Sequence, residues 1–339
     1  MQKYQKNYVG IDVSKPYFDA SLMVVIDHQK QEVKSERFSN TNQGLKSFLK
    51  WLLKAKVSLD INTLIVIENT GVYHRLIWKF CNDHSLPLHI GNATHIKWSF
   101  GIARGKNDVI DSKRLCQYAC THSDELKVTP VLNLAFLKLR DFMSSRTKLI
   151  NQLNSTKNFI KELKLSNDKS TQKILEQGFR ASIEGIKKSI KAIEKEIENI
   201  LTDESIKSNY DLMITVPGIG RYTALYIICC TNNFASRITG KQLASYAGVV
   251  PFEHSSGISV KGKNRVHKMA NKELKKLLHL CALTTIRCYP EFKDYYHRKK
   301  EEGKNGMSIL NAIRNKLVLR VVAVVNSQKP YEDNYKQAA

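Results

Sequence analysis

The chain has 339 residues and a mass of 38.8 kDa, enough for two or three domains with sizeable cores. Its 54 Lys and Arg against 31 Asp and Glu give a formal net charge of +23, which favours a polyanionic partner, either nucleic acid or an anionic membrane. No apolar run approaches the roughly 20 residues that span a bilayer, and the N-terminus lacks the apolar segment of a signal peptide. We therefore expect a cytoplasmic protein that binds nucleic acid.

Strand and helix signals alternate over residues 1–125, the first predicted domain. After a strand at 7–13, they predict strands at 18–26 and 32–38, a helix with an apolar stripe from Leu45 to Leu53, a strand at 63–67, a helix at 72–83 and a short strand at 86–90. Residues 63–67 are nearly all β-branched or Leu, as in a central strand that is buried on both faces. This order of elements predicts a ribonuclease-H-like α/β fold.

Four carboxylates lie at the ends of hydrophobic segments in this region. Asp12 closes the first strand, Glu68 closes the fourth, and Asp108 and Asp111 project from one face at the start of a helix. Mg²⁺ prefers hard oxygen ligands on rigid elements, and paired divalent ions can activate an attacking oxygen and stabilise a leaving oxygen. The acids therefore predict a magnesium site that acts on a phosphodiester.

The first strand also fits a different class of enzyme. Val9-Gly10-Ile11-Asp12 resembles the first phosphate loop of actin-like sugar kinases and chaperone ATPases, in which a glycine follows the Asp and backbone N–H groups hold phosphate. Here Val13-Ser14-Lys15 follows instead, and we find no second Gly-rich loop downstream. The pattern therefore disfavours a kinase.

Residues 130–205 form the second predicted domain, a coiled coil. Isoleucines recur at spacings of three and four at Ile183, Ile186, Ile190, Ile193, Ile197 and Ile200, and an earlier segment keeps multiples of the same register at Phe136, Leu139, Met143, Ile150, Leu153 and Ile160. Two arrangements fit this pattern. The helices either pack as an antiparallel hairpin within one chain or form an intermolecular coiled coil that builds a dimer.

Residues 206–330 form a third, mostly helical predicted domain, followed by a tail at 331–339. Residues 251–330 hold 17 Lys and Arg against 6 Asp and Glu, which predicts a surface that faces phosphates. Pro217-Gly218-Ile219-Gly220 is typical of a helix-hairpin-helix element, in which the N–H groups near Gly218 and Gly220 would grip a backbone phosphate. The same pattern also fits a simple turn between helices.

A loop of small residues and cations is predicted from Ser255 to Arg265. It carries three hydroxyls, at Ser255, Ser256 and Ser259, and then Lys261, Lys263 and Arg265. A serine hydroxyl attacks phosphorus well only when its proton is removed and the phosphate charge is neutralised. From these residues alone we expect a flexible loop that contacts phosphate.

These segments together resemble the DEDD transposases of bacterial insertion sequences, the insertion-sequence "one-ten" group, which includes the Piv-type invertases. The resemblance spans nearly the whole chain. The segments that carry it are Gly10-Ile11-Asp12-Val13-Ser14-Lys15, Ile67-Glu68-Asn69-Thr70-Gly71, Lys106-Asn107-Asp108-Val109-Ile110-Asp111, Pro217-Gly218-Ile219-Gly220 and Ser256-Gly257-Ile258-Ser259-Val260-Lys261-Gly262. The chain departs from the family pattern at Asn107, usually Thr, and at Ser112, usually Ala.

The resemblance implies a resolvase-like N-terminal nuclease domain, a coiled coil and a C-terminal transposase domain. It assigns Asp12, Glu68, Asp108 and Asp111 to Mg²⁺ and makes Ser256 the nucleophile of a transient phosphoserine link to DNA. It also implies a homodimer or a tetramer, donor and target double-stranded DNA, and a structured bridge RNA that pairs with both.

We therefore predict an RNA-guided, Mg²⁺-dependent DNA recombinase of bacterial origin that moves its own insertion element. One alternative is a junction-resolving nuclease that uses only the acidic site and water. The other is a nucleic-acid-binding protein without catalytic activity.

Overall fold

A computed structural model describes residues 4–100, 108–131, 133–166, 168–256, 260–266 and 270–333, with the backbone alone described at 166, 253–256 and 260–265. The chain divides into two compact units, 1–132 and 133–339. Residues 133–339 thus group both predicted middle helices with the C-terminal region, and the division into three domains and a tail stays a prediction. No helix within the described ranges is long and apolar enough to cross a membrane.

The first unit is built on a mixed sheet, and the described residues contribute six strands to it. These are β1 (Gln5–Val13), β2 (Tyr17–Ile26), β3 (Gln29–Lys30), β4 (Lys34–Ser39), β5 (Thr63–Glu68) and β6 (Leu88–Gly91). β2 pairs antiparallel with β1, β3 and β4, whereas β5 pairs parallel with β1 and with β6. The predicted α/β domain is confirmed, with β1 and β5 as its central parallel pair.

Helices cover the two faces of this sheet. They are α1 (Asn42–Lys54), α2 (Arg75–Asp83), α3 (Ala93–Ser99) and α4 (Asp108–Thr121). Side chains alternate between the faces of β2: Phe18 packs its ring against Phe48 of α1 at 5.5 Å, whereas the Ser21 hydroxyl lies 2.8 Å from that of Ser112 on α4. The sheet is therefore buried between α1 on one side and α4 on the other.

The second unit is mostly helical. It contains α5 (Leu134–Ser166), α6 (Lys169–Ile200), α7 (Glu204–Ile214), α8 (Arg221–Thr231), α9 (Gly240–Tyr246), β7 (Pro251–Ser256), β8 (Val260–Val266), α10 (Lys272–Cys288), α11 (Pro290–Glu301) and α12 (Gly306–Ser327). A single core joins Leu139 of α5 and Ile197 of α6 to the buried valines of α12.

The two long helices pair with each other in antiparallel fashion. Arg146 binds Glu194, the ring of Phe159 meets that of Phe179 edge to face, and Lys164 binds Glu176. Residue numbers therefore rise along α5 as those of their partners fall along α6. Of the two arrangements that the heptads allowed, the structure contains the hairpin within one chain.

The segment predicted as a flexible serine loop is in part a β-hairpin. Ser255 pairs through its backbone with Lys261, and Ser256 pairs with Val260. The expectation of a loop was wrong for these residues, because small residues and cations do not reveal a backbone partner that satisfies their N–H and C=O groups. Ser259 lies outside the described residues, as do the side chains of Ser256, Lys261, Lys263 and Arg265.

Candidate functional site

Asp12 and Glu68 lie at the carboxyl ends of two adjacent parallel strands. Ile11 of β1 pairs with Ile67 of β5, so the two acids follow a paired position on neighbouring strands. Asp12 also shares its side of β1 with Gly10, because side chains alternate along a strand. This is the side that α4 covers.

Gly10 allows α4 to approach the sheet at van der Waals distance. A Cβ at this position would lie 2.0 Å from the backbone nitrogen of Cys116 and 2.3 Å from the carbonyl oxygen of Ser112. Asp108 lies one turn before the buried Ser112, and Asp111 lies one turn before the buried Leu115. The close contact therefore holds the N-terminus of α4 beside the ends of β1 and β5.

The electrostatics of Asp12 show that the predicted acids act on one another. Its pKa is raised from 3.8 to about 6, first by burial and then by the negative charges of Asp111, Asp108, Glu68 and Asp19. Each neighbouring carboxylate disfavours ionisation of Asp12. The structure thus brings the four predicted acids to one edge of the sheet, together with a fifth that the sequence reasoning missed.

The fifth acid, Asp19, is paired with an arginine. Asp19 is only 3% exposed and is the cross-strand partner of Asp12 on β2. Arg37 on β4 donates from Nε to one carboxylate oxygen of Asp19 at 3.0 Å and from Nη2 to the other at 2.9 Å. Both oxygens are therefore engaged by a cation, which distinguishes Asp19 from the four predicted ligands.

The two acids of α4 also have partners. The Tyr17 hydroxyl donates to Oδ2 of Asp108 at 3.0 Å, and Arg37 Nη2 lies 3.5 Å from the same oxygen. Arg114 Nη1 donates to Oδ1 of Asp111 at 2.9 Å. Tyr17 and Arg37 were not recognised from the sequence, since the cross-strand pairing that places them beside Asp108 is set by register.

The donor set matches a divalent cation in its chemistry. Carboxylate oxygens are hard ligands, and a bound cation would relieve the mutual repulsion that raises the pKa of Asp12. Among the described residues, however, no three His, Cys, Asp or Glu side chains are arranged so that they could hold a metal ion. Asp108 and Asp111 are instead bound to Tyr17, Arg37 and Arg114.

The predicted phosphate-binding glycines of the second unit differ from each other. Gly218 has a φ of 78°, and a Cβ there would lie 2.2 Å from Cγ2 of Thr285 on α10, so packing requires this glycine. Gly220 is exposed at the N-cap of α8, and among the described residues no atom outside its chain neighbours and its own helix lies within 4 Å of its Cβ position. Of the pair, Gly220 has the open surroundings that a phosphate contact needs.

Two family models match the chain. A transposase model, DEDD_Tnp_IS110, matches residues 9–164, and a model of the transposase IS116/IS110/IS902 family matches residues 210–297. The first spans all four predicted acids.

The chain is also similar to individual proteins, along its whole length or in part. Pilin gene-inverting proteins of Moraxella bovis and Moraxella lacunata are each 26% identical over 341 residues, covering 96% of this chain and 98% of the relative. An uncharacterised 43.6 kDa protein of insertion element IS110 from Streptomyces coelicolor is 25% identical over 162 residues, 48% of this chain and 39% of that protein. A structure of T. thermophilus RuvC with a Holliday junction substrate covers 37% of this chain and 99% of its own, at 7% identity. Its TM-score of 0.28 is too low to establish a shared fold.

Proposed function

This chain belongs to the IS110 family of DNA transposases, and we propose that it moves its own insertion element by Mg²⁺-dependent cleavage and exchange of DNA strands. The main support is the position of Asp12, Glu68, Asp108 and Asp111 at the edge where α4 meets β1 and β5, close enough for the other three charges to raise the pKa of Asp12. The element order of the first unit, with a central parallel pair and antiparallel outer strands, further supports a ribonuclease-H-like nuclease domain.

The four acids would hold the metal in this mechanism. A bound divalent cation would neutralise phosphate charge and so make the phosphorus easier to attack. The Ser256 hydroxyl would form a bond to phosphorus, the bond from phosphorus to the leaving deoxyribose oxygen would break, and that oxygen would take up a proton. A hydroxyl of the other DNA strand would then displace Ser256 and restore its O–H.

The basic C-terminal region would bind the nucleic acids. Lys261, Lys263 and Arg265 lie on β8, the strand that pairs with the serine-bearing β7. They belong to the 17 Lys and Arg of residues 251–330, against 6 Asp and Glu. This excess of positive charge would bind the phosphates of donor and target duplexes and of a structured guide RNA. Such contacts weaken as the salt concentration rises. The exposed Gly220 would add a backbone contact.

The far end of the helical hairpin supports association with a second copy. Three apolar residues are exposed there: Phe159 by 49%, Leu165 by 86% and Ile174 by 66%. Exposed apolar groups that lie together mark interaction surfaces. We infer that two chains join through these ends of α5 and α6 to form a dimer, which would be the unit of a tetramer.

Trapping of the covalent intermediate tests this function. Purified protein is incubated with Mg²⁺, guide RNA transcribed from the element and labelled donor and target DNA, and protein-linked DNA is separated under denaturing conditions. We expect the wild type to yield the adduct, whereas Ser256→Ala and Asp12→Asn yield none. Ser255→Ala, a neighbouring serine on the same strand, is the matched control and retains it.

The outcomes separate the candidate functions. If the adduct persists in Ser256→Ala, Ser256 is not the nucleophile. If the adduct is lost only in Ser255→Ala, Ser255 is the nucleophile instead. A different outcome is that the wild type yields hydrolysed DNA ends and no adduct. If Asp12→Asn abolishes this hydrolysis and Ser256→Ala does not change it, the protein is a nuclease that uses the acidic site and water. Activity in cells that is unchanged by Asp12→Asn would favour the alternative of a nucleic-acid-binding protein without catalytic activity.

A further inference from the structure

We propose that Tyr17 and Arg37 are positioning residues that orient the carboxylate of Asp108 toward the metal. Tyr17 begins β2, 91 positions before Asp108 in the chain, and its hydroxyl donates to Oδ2 of Asp108 at 3.0 Å. This contact ties the first residue of α4 to the sheet. The proposed role depends on the metal site of the proposed function, and it adds residues that neither the acidic motif nor its spacing contains.

Arg37 in turn holds Tyr17. Its guanidinium carbon lies 3.9 Å from the centre of the Tyr17 ring, a stacking distance at which the cation is attracted to the ring face. The same guanidinium reaches Asp108, with Nη2 3.5 Å from Oδ2. Arg37 therefore acts on Asp108 in two ways. It holds the Tyr17 ring whose hydroxyl binds Asp108, and it attracts the Asp108 carboxylate by its own charge.

The buried Asp19 holds Arg37 in place. Its side chain binds Arg37 through two parallel hydrogen bonds, and this forked geometry fixes the plane of the guanidinium. Tyr17 and Asp19 lie on the same side of β2, and Arg37 is the cross-strand partner of Asp19. A continuous chain of contacts thus runs from a buried carboxylate to the exposed edge, through Arg37 and Tyr17 to Asp108.

The contacts act on one oxygen of Asp108. Tyr17 and Arg37 both approach Oδ2, so neither of them occupies Oδ1. A carboxylate fixed through one oxygen presents the other in a defined direction, and loss of such a supporting contact typically weakens metal binding by 10- to 100-fold. Asp111 is supported separately, by Arg114 on the same helix. The brace formed by Asp19, Arg37 and Tyr17 is therefore specific to Asp108.

A direct measurement of Mg²⁺ affinity tests the brace. The full chain is titrated with Mg²⁺, without nucleic acid, by isothermal calorimetry and by the shift of the thermal unfolding midpoint. We expect Tyr17→Phe, which removes only the hydroxyl, to raise the dissociation constant at least 10-fold. Arg37→Lys keeps the charge but loses the forked geometry and the stacking, and we expect it to weaken binding in the same direction.

Two control variants complete the experiment. Tyr73→Phe removes a hydroxyl from an exposed tyrosine of the same unit and should leave the affinity unchanged. Asp108→Asn removes a proposed ligand and should abolish the Mg²⁺-dependent shift. If Asp108→Asn has no effect, the proposed metal site is wrong. If Asp108→Asn abolishes binding while Tyr17→Phe and Arg37→Lys bind as the wild type does, only the brace is wrong.

A tighter affinity in Tyr17→Phe would also overturn the inference. That result would mean that Tyr17 holds Asp108 away from the ion. The unfolding midpoint of each variant in EDTA shows whether its fold is intact. If Tyr17→Phe fails to fold, Arg37→Lys decides between the outcomes.

Discussion

Gly10 on β1 lies directly against Cys116 on α4, so closely that a Cβ on Gly10 would come within 2.0 Å of the Cys116 backbone nitrogen. The thiol of Cys116 also donates to the carbonyl oxygen of Tyr8 at 3.1 Å. Since α4 carries two of the four acids and β1 carries a third, this contact sets the distance between the two halves of the candidate site.

A methyl group at Gly10 should separate those halves. Gly10→Ala would push α4 away from β1, and overpacking of this kind costs about 1–3 kcal/mol. We expect a loss of that size in the free energy of unfolding, measured by urea denaturation, together with a loss of Mg²⁺ binding. The matched control is Gly185→Ala in α6, where nothing lies within 4 Å of the Cβ position. It should stabilise the protein by about 0.5–1 kcal/mol, because glycine is unfavourable inside a helix. Equal effects of the two substitutions would contradict the role of the close contact.

Asp12 should destabilise the metal-free protein at neutral pH. Its pKa is raised from 3.8 to about 6, so its ionisation opposes folding as the pH rises from 4 to 6, and the loss is complete above that range. Two pKa units correspond to about 3 kcal/mol, and solvent screening at this partly exposed side chain reduces the effect to roughly 1 kcal/mol. In EDTA at pH 7.5, Asp12→Asn should therefore unfold at higher urea concentration than the wild type.

The extra stability of Asp12→Asn should disappear at pH 4, where the Asp12 carboxyl of the wild type is protonated in the folded chain. Added Mg²⁺ should reverse the order at pH 7.5, because only the wild type retains this ligand. An Asp12→Asn variant that is less stable than the wild type in EDTA would contradict the raised pKa of Asp12, to which burial and the neighbouring carboxylates both contribute.

Glu194 should stabilise the base of the helical hairpin. It accepts hydrogen bonds from Arg146 Nε at 2.8 Å and from the Tyr222 hydroxyl at 2.5 Å, and it thereby joins α5, α6 and α8. Burial raises its pKa, but these two hydrogen bonds and the charge of Arg146 outweigh burial and lower the pKa below 4.5. Glu194→Gln should cost about 2 kcal/mol at pH 7, the usual size for hydrogen bonds to a charged group.

The pH dependence of this loss has a definite sign. A depressed pKa gives stability that is present above 4.5 and is lost as the pH falls through the folded-state value, so Glu194→Gln and the wild type should converge in acid. Glu184→Gln is the matched control on the same helix, since its ion pair with Arg180 is exposed. It should change stability by less than about 0.5 kcal/mol. A similar loss in both variants would show that Glu194 acts only as a surface charge.

Asn271 should be the most sensitive polar residue at the base of the β7–β8 hairpin. It caps α10 by accepting from Leu274 N at 2.9 Å, accepts from the Tyr226 hydroxyl at 3.1 Å and donates to the Tyr246 hydroxyl at 2.9 Å. Asn271→Ala removes a helix cap, the hydrogen bonds to the two tyrosines and a weaker one to Cys230 Sγ at 3.7 Å, for an expected loss of about 3 kcal/mol. Asn305→Ala, which removes the cap of α12, should cost only about 1 kcal/mol. Chemical denaturation of both variants measures the difference, and equal losses would mean that the tyrosines contribute nothing.

The candidate acids could be chosen from the sequence alone. Glu68 ends a strand of β-branched residues and Asp108 opens a helix, and both signals depend only on neighbours along the chain. Asp19 and Arg37 were missed because their meaning arises from cross-strand register, which is set by pairing between β1, β2 and β4. Ser256 was placed in a loop for the same reason, since its partner strand is β-branched only at its two ends, Val260 and Val266. Local periodicity therefore reveals an element, whereas tertiary pairing decides which side chains support a site.

The length of α5 and α6 has a geometric consequence. At 1.5 Å per residue, the 33 residues of α5 extend about 50 Å, which corresponds to about fifteen base pairs of duplex at 3.4 Å each. If two copies touched only at the far ends of their α5–α6 hairpins, the remaining helices of one copy would lie at least one turn of DNA away from those of the other. The length of the hairpin would then set the distance between the two copies. Removing whole turns from both helices would shorten that distance without altering the chemistry of either copy.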